Sequence, residues 1–121
     1  MFVNAVAYNQ PKVTTATIAS GASLSGAVAL PIGHVLAAIV MPATWTAAGI
    51  TLQGSADNVT FQNVYVAAGT EHALTVAAAT TVALDPVLYQ AFPFLKIRSG
   101  TAGSPVNQTA ARTITLISRA M

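Results

Sequence analysis

Short runs of alternating apolar and polar residues, separated by turn-forming residues, recur along the whole chain. Residues 13–18 (Val-Thr-Thr-Ala-Thr-Ile) and 50–55 (Ile-Thr-Leu-Gln-Gly-Ser) repeat with the period of two that marks a strand with one buried face. Residues 34–41 form a continuous apolar run closed by Pro42, the pattern of a central strand buried on both faces. Further short strands are expected at 28–30, 59–66, 72–76, 81–84, 94–99 and 112–118. Turn chemistry falls between them, at 21–26, at Asp57-Asn58 and in the loop 100–108. Asp85-Pro86 interrupts the strands and opens a single helical turn within 87–92. The pattern predicts an all-β fold: one antiparallel β-sandwich of eight or nine short strands over residues 13–121. Residues 1–12 precede it as an N-terminal arm. Phe2, Val3, Val6 and Tyr8 make that arm too apolar to float in water, so they are expected to contact a partner.

Composition changes this picture at the surface. Charged residues make up only 7% of the 121, against about 25% in an ordinary soluble domain. The net charge of +2 rests on Lys12, Lys96, Arg98, Arg112 and Arg119 against Asp57, Glu71 and Asp85. These cations are scattered, and a nucleic-acid footprint needs them clustered on one face, so no specific nucleic-acid partner is expected. The most apolar uncharged stretch, 36–52, contains Pro42 and Gly49 and falls short of the roughly 20 apolar residues of a spanning helix. No membrane partner is expected, and with no basic-then-apolar leader in the first ten residues the expected site of synthesis is the cytoplasm. Cysteine is absent, which removes disulfides, thiolate metal sites and thiol nucleophiles.

The remaining reactive side chains are two histidines and three carboxylates. Glu71 and His72 are adjacent, so a strand would send them to opposite faces. His34 reads as a hydrogen-bonded strand-end residue and His72 as a solvated loop residue. G-x-S-x-G is missing. Residues 21–26 have the glycine spacing of a phosphate-binding loop, but Ala27 and Val28 stand where Lys and Ser/Thr are required. Asp57-Asn58 lacks the further oxygens of a calcium loop. No catalytic, cofactor-binding or metal-binding residue emerges, and the chain is expected to be a non-enzyme without a cofactor. Two features remain as partner contacts. Trp45 is either core packing or an interface anchor. Lys96 and Arg98 share one strand face opposite Leu95 and Ile97, and either meet solvent or pair with a carboxylate-bearing partner.

Two segments carry a resemblance. Residues 50–64 have the form strand, Ser-x-Asp turn, aromatic, strand. Residues 94–100 (Phe-Leu-Lys-Ile-Arg-Ser-Gly), preceded by Leu84-Asp85-Pro86 and followed by 112–117, supply the usual sequel. Together they resemble small structural proteins of tailed bacteriophages and prophages, and the same order looks like the discoidin-type, galactose-binding-like jelly roll. The resemblance implies a jelly-roll-like sandwich and a place in a virion. It carries no ligand residues, because discoidin-type domains have terminal cysteines that this chain lacks.

A surface of Ala, Thr, Ser and Val suits close-packed contacts between many copies, since obligate interfaces are depleted in charge. The expected function is a capsid decoration (cement) protein on the virion surface, binding the major capsid protein or other virion proteins as a homo-oligomer, with a trimer as the expected state. The alternatives are a carbohydrate-binding jelly roll for host attachment and a tail, head-completion or baseplate subunit.

Overall fold

The computed structural model describes residues 10–120, which form nine strands and one 3-10 turn. The strands are β1 (Lys12–Ile18), β2 (Val28–Ala29), β3 (His34–Val40), β4 (Ile50–Ser55), β5 (Gln62–Asn63), β6 (Ala73–Leu74), β7 (Thr81–Ala83), β8 (Phe94–Ser99) and β9 (Arg112–Ala120), with the 3-10 turn Pro86–Tyr89 between β7 and β8. One sheet has the order β1-β9-β3-β7, the other β2-β8-β4-β5, with β6 also on β4; every pairing is antiparallel.

The pairings have a simple logic. β1 pairs with β9, β2 with β8, β3 with β7, and β4 with β5 and β6. The chain is thus one long hairpin, rolled so that β9 also meets β3 and β8 also meets β4. That is a jelly roll, with β5 and β6 together occupying the last position of the second sheet. Alternation fills the space between the sheets: Ile18, Leu36, Ile39, Ile114 and Leu116 from the first meet Ile50, Leu52, Leu95 and Ile97 from the second, all fully buried.

Three expectations change. The apolar run 34–41 forms a central strand, but its outer face is mostly half-buried, with Val35 the one buried residue there. A bulge between Leu36 and Ala38 shifts its register against β9, so Leu36, Ile39 and Met41 all point inward while Ala38 and Val40 stay half-buried. The strand expected at 59–66 shrinks to Gln62–Asn63, and the one at 72–76 to Ala73–Leu74. A small loop interrupts them: Tyr65 bridges Glu71, Val66 N–H donates to Thr70 O and Gly69 N–H to Val66 O, so residues 65–71 leave the sheet and return. The Asp57 turn is as expected. The Asp57 carboxylate accepts from the N–H groups of Val59 and Thr60 and from the Ser55 hydroxyl, which holds it below the usual carboxylate range. Asn58 takes the left-handed conformation with φ 62°.

Candidate interaction surface

Strand direction sorts the connections onto two ends of the sandwich. The loops 19–27, 41–49, 75–80 and 100–111 share one end, which holds Trp45. The loops 30–33, 56–61 and 84–93 share the other, where β1 begins and β9 finishes. The N-terminal segment therefore enters the domain at this second end, the arm end. Phe2, Val3, Val6 and Tyr8 themselves lie outside the described residues.

Large exposed apolar side chains divide unequally between the ends. Ile32 is 102% exposed, Val59 81%, Val87 62% and Leu88 49%, and all four stand on connections of the arm end. Val13 is exposed at the start of β1 on the same side, and Tyr65 and Val66 on the loop 65–71. Tyr65, Val66, His72, Leu88 and Phe92 line a groove of about 190 Å³. Among the described residues, no large exposed hydrophobic belongs to a connection of the Trp45 end.

Charge has been drawn inward instead. Arg98 is not on a solvated face: it is buried, and it reaches across β4. Its Nη1 lies 3.1 Å from Glu71 Oε2 and its Nη2 donates to Asn63 Oδ1 at 2.6 Å. The Glu71 carboxylate also accepts the Ala102 N–H from the β8–β9 connection. Of the two expectations for this face, solvent or a carboxylate-bearing partner, Arg98 meets neither: its carboxylate, Glu71, belongs to the same chain. Lys96 covers the Phe61 ring, its Nζ 4.5 Å from the ring centroid. Both residues lie on one strand face, as their spacing required, but Arg98 ties the loop 65–71 to the sheet and has little left to offer outside.

The Trp45 end is closed by a second network. Gln108, fully buried, donates from Nε2 to Thr46 O and Ser99 Oγ, while its Oε1 accepts from Thr46 N–H and Arg112 Nε. Arg112 also donates to Thr109 Oγ1 at 3.2 Å. Sequence reasoning gave Gln108 and Arg112 no role; both sit where the loop-to-strand boundary turns inward. Trp45 is half-buried, packs against the core and donates from Nε1 to Ala48 O at 3.0 Å. It stands beside a shallow groove with Gly49, Thr75 and Val76, and the geometry favours core packing over an anchor.

Glu71 and His72 do part to opposite sides. His72 is half-buried rather than solvated: its Nε2 and the Tyr89 hydroxyl share a 2.6 Å hydrogen bond, with the rings edge to face at 5.5 Å. His34 Nδ1 lies 3.3 Å from Ser118 Oγ at its strand end, as expected. The described residues contain no group of three metal-ligating side chains, and none of their helices is long and apolar enough to cross a membrane.

Tyr89 also supplies a pH test. Burial, helped by the Asp85 carboxylate, pushes its phenol up to about 12. An unfolded tyrosine titrates near 10, so the stability linked to Tyr89 is full below about pH 10 and is lost as pH rises toward 12. In Tyr89→Phe that alkaline decline should diminish. Stability at neutral pH should fall by about 1–2 kcal/mol as His72 Nε2 loses its partner. Denaturant unfolding of both proteins at several pH values measures this, and identical alkaline declines would contradict it.

No family model, curated protein or solved structure matches this chain.

Proposed function

We propose that this chain is a non-enzymatic structural subunit of a bacteriophage virion, a capsid decoration protein that attaches by burying the apolar side chains of its arm end. The observation that carries the reading is the uneven surface: Ile32, Val59, Val87 and Leu88 stand exposed on one end, beside the point where the apolar arm enters. Jelly rolls recur in viral capsid and lectin domains, which agrees with the resemblance of residues 50–64 and 94–117 to phage structural proteins. Fold alone does not set function; the uneven surface is what distinguishes this sandwich. With Arg98 and Glu71 paired and Arg112 buried, few charges remain for steering, and attachment falls to apolar area at about 25 cal/mol per Å². A tail or baseplate subunit would use the same chemistry. A carbohydrate-binding module fits less well, because Tyr89 is buried and Trp45 is half-buried, with its indole N–H already bonded.

Particles purified from cells carrying the gene should contain the chain. Its occupancy should change little between about 0.05 and 1 M salt, because only exposed charge pairs are screened over that range. Ile32→Asp combined with Val87→Asp should strip it from the particle while leaving the strand circular dichroism unchanged. A steep loss of occupancy with salt, or full retention of the double variant, rejects the apolar attachment. Absence from particles together with binding on a glycan array would replace the reading with the carbohydrate one.

A further inference from the structure

The four sheet edges are unequal. β7 has three residues, β2 has two, and the edge made by β5 and β6 is two residues each with the loop 65–71 between them. Short or interrupted edges are how natural sheets avoid pairing with other chains. β1 is the exception. It runs seven residues in unbroken register with β9, from Lys12 opposite Ser118 to Ile18 opposite Arg112. It has no bulge against β9 and no internal proline, and its one charge stands at its first residue. Alternate residues of such a strand turn N–H and C=O away from the sheet. Among the described residues, no backbone hydrogen bond from another segment reaches this side of β1.

The segment entering at the arm end has the pattern of a matching strand. Residues 2–8 are as long as β1 and rich in β-formers. Phe2, Asn4, Val6 and Tyr8 would share one face, and Val3, Ala5 and Ala7 the other. On β1 itself the inward row is Thr14, Ala16 and Ile18, and the outward row Val13, Thr15 and Thr17. A strand added beside it would turn its bulky row toward the core and its small row outward.

Pro11 disfavours a tight return of the segment onto its own β1. A three-residue hairpin loop 9–11 needs its last residue in the left-handed region, which the proline ring forbids. A two-residue loop of Gln10 and Pro11 needs positive φ at Pro11 in a type I′ turn, which the ring forbids, and at the non-glycine, pre-proline Gln10 in a type II′ turn, where it is strained. A loop of Asn9 and Gln10 needs an N–H at position 11 to close it, and proline has none. Tight folding back onto the same chain's β1 is therefore disfavoured. We propose that residues 2–8 of one copy add as an edge strand to β1 of a second copy, so that main-chain hydrogen bonds link the copies. An antiparallel addition buries no charge except Lys12 at one end, and exchange of arms closes into an oligomer. This linkage is independent of what the arm end attaches to, and it is tested without any particle.

The test uses the full chain, Val6→Pro and Val6→Asp. Residue 6 precedes β1, the first strand of the sandwich, so both variants should keep the strand circular dichroism. The wild type should scatter light as an oligomer at micromolar concentration, and both variants as monomers of 12.3 kDa. In hydrogen exchange, the free-edge amides of β1 should be slowed about tenfold or more in the wild type and released in the variants. A monomeric wild type overturns the proposal, as do variants that remain oligomeric. An oligomer whose β1 amides exchange alike in all three proteins overturns it too, because the arm would then bind elsewhere.

Discussion

Arg98→Ala should destabilise the domain by about 3 kcal/mol, the lower end of what removing one partner of a buried ion pair costs. Arg98 is buried against Thr51 and Asn63, and the Glu71 side chain is only 14% exposed. Truncation leaves the Glu71 carboxylate without its cation, and the Ala102 N–H is its other hydrogen-bond partner. For a domain of this size that corresponds to a fall of roughly 10 °C in melting temperature. Glu71→Gln should cost less, because the amide oxygen can still accept from Arg98 and Ala102. Hydrogen exchange should show the loop 65–71 opening in Arg98→Ala, since the ion pair is what ties it to β8. Thermal unfolding of both variants measures the difference. A loss under about 1 kcal/mol for Arg98→Ala would mean that the pair behaves as a screened surface contact.

Gln108→Leu should cost a similar amount at the opposite end, about 3 kcal/mol, through unmade hydrogen bonds rather than lost volume. Leucine nearly matches glutamine in size but offers nothing to Thr46 N–H, Thr46 O, Ser99 Oγ or Arg112 Nε. Arg112 is the partner left worst off, because its remaining acceptors are the hydroxyls of Thr46 and Thr109. The double variant Gln108→Leu with Arg112→Met should recover part of the loss, since removing both partners strands fewer polar groups than removing one. Chemical denaturation of the two single variants and the double one completes the cycle. Strict additivity would show that Gln108 and Arg112 do not act as a unit.

Much of this protein was legible in its residues. Strands 13–18, 50–55, 94–99 and 112–118 stand within two residues of their expected bounds, because each places inward Ile, Leu or Ala on alternate residues, and that period is local. The Asp57-Asn58 turn and the break at Asp85-Pro86 were equally local, set by side chains that bond their own backbone: Asp85 accepts from Val87 N–H at the start of the 3-10 turn. The apolar run 34–41 misled because a bulge changes the phase of alternation, and a bulge depends on how β9 pairs with β3, not on the run itself.

What the sequence could not carry was partnership across distance. Lys96 and Arg98 were correctly placed on one face, yet whether that face met water depended on Glu71, 27 residues earlier, returning from a loop that the pattern of 59–76 had hidden. His72 read as solvated until Tyr89 was brought beneath it by the 3-10 turn. The shortage of charge was visible from composition, but the gathering of Ile32, Val59, Val87 and Leu88 on one end required the strand order. The physical reason is common to these cases. Alternation and turn chemistry are written within a few residues, whereas burial of a charge or exposure of an apolar side chain is fixed by the rolled hairpin, which brings together residues tens of positions apart.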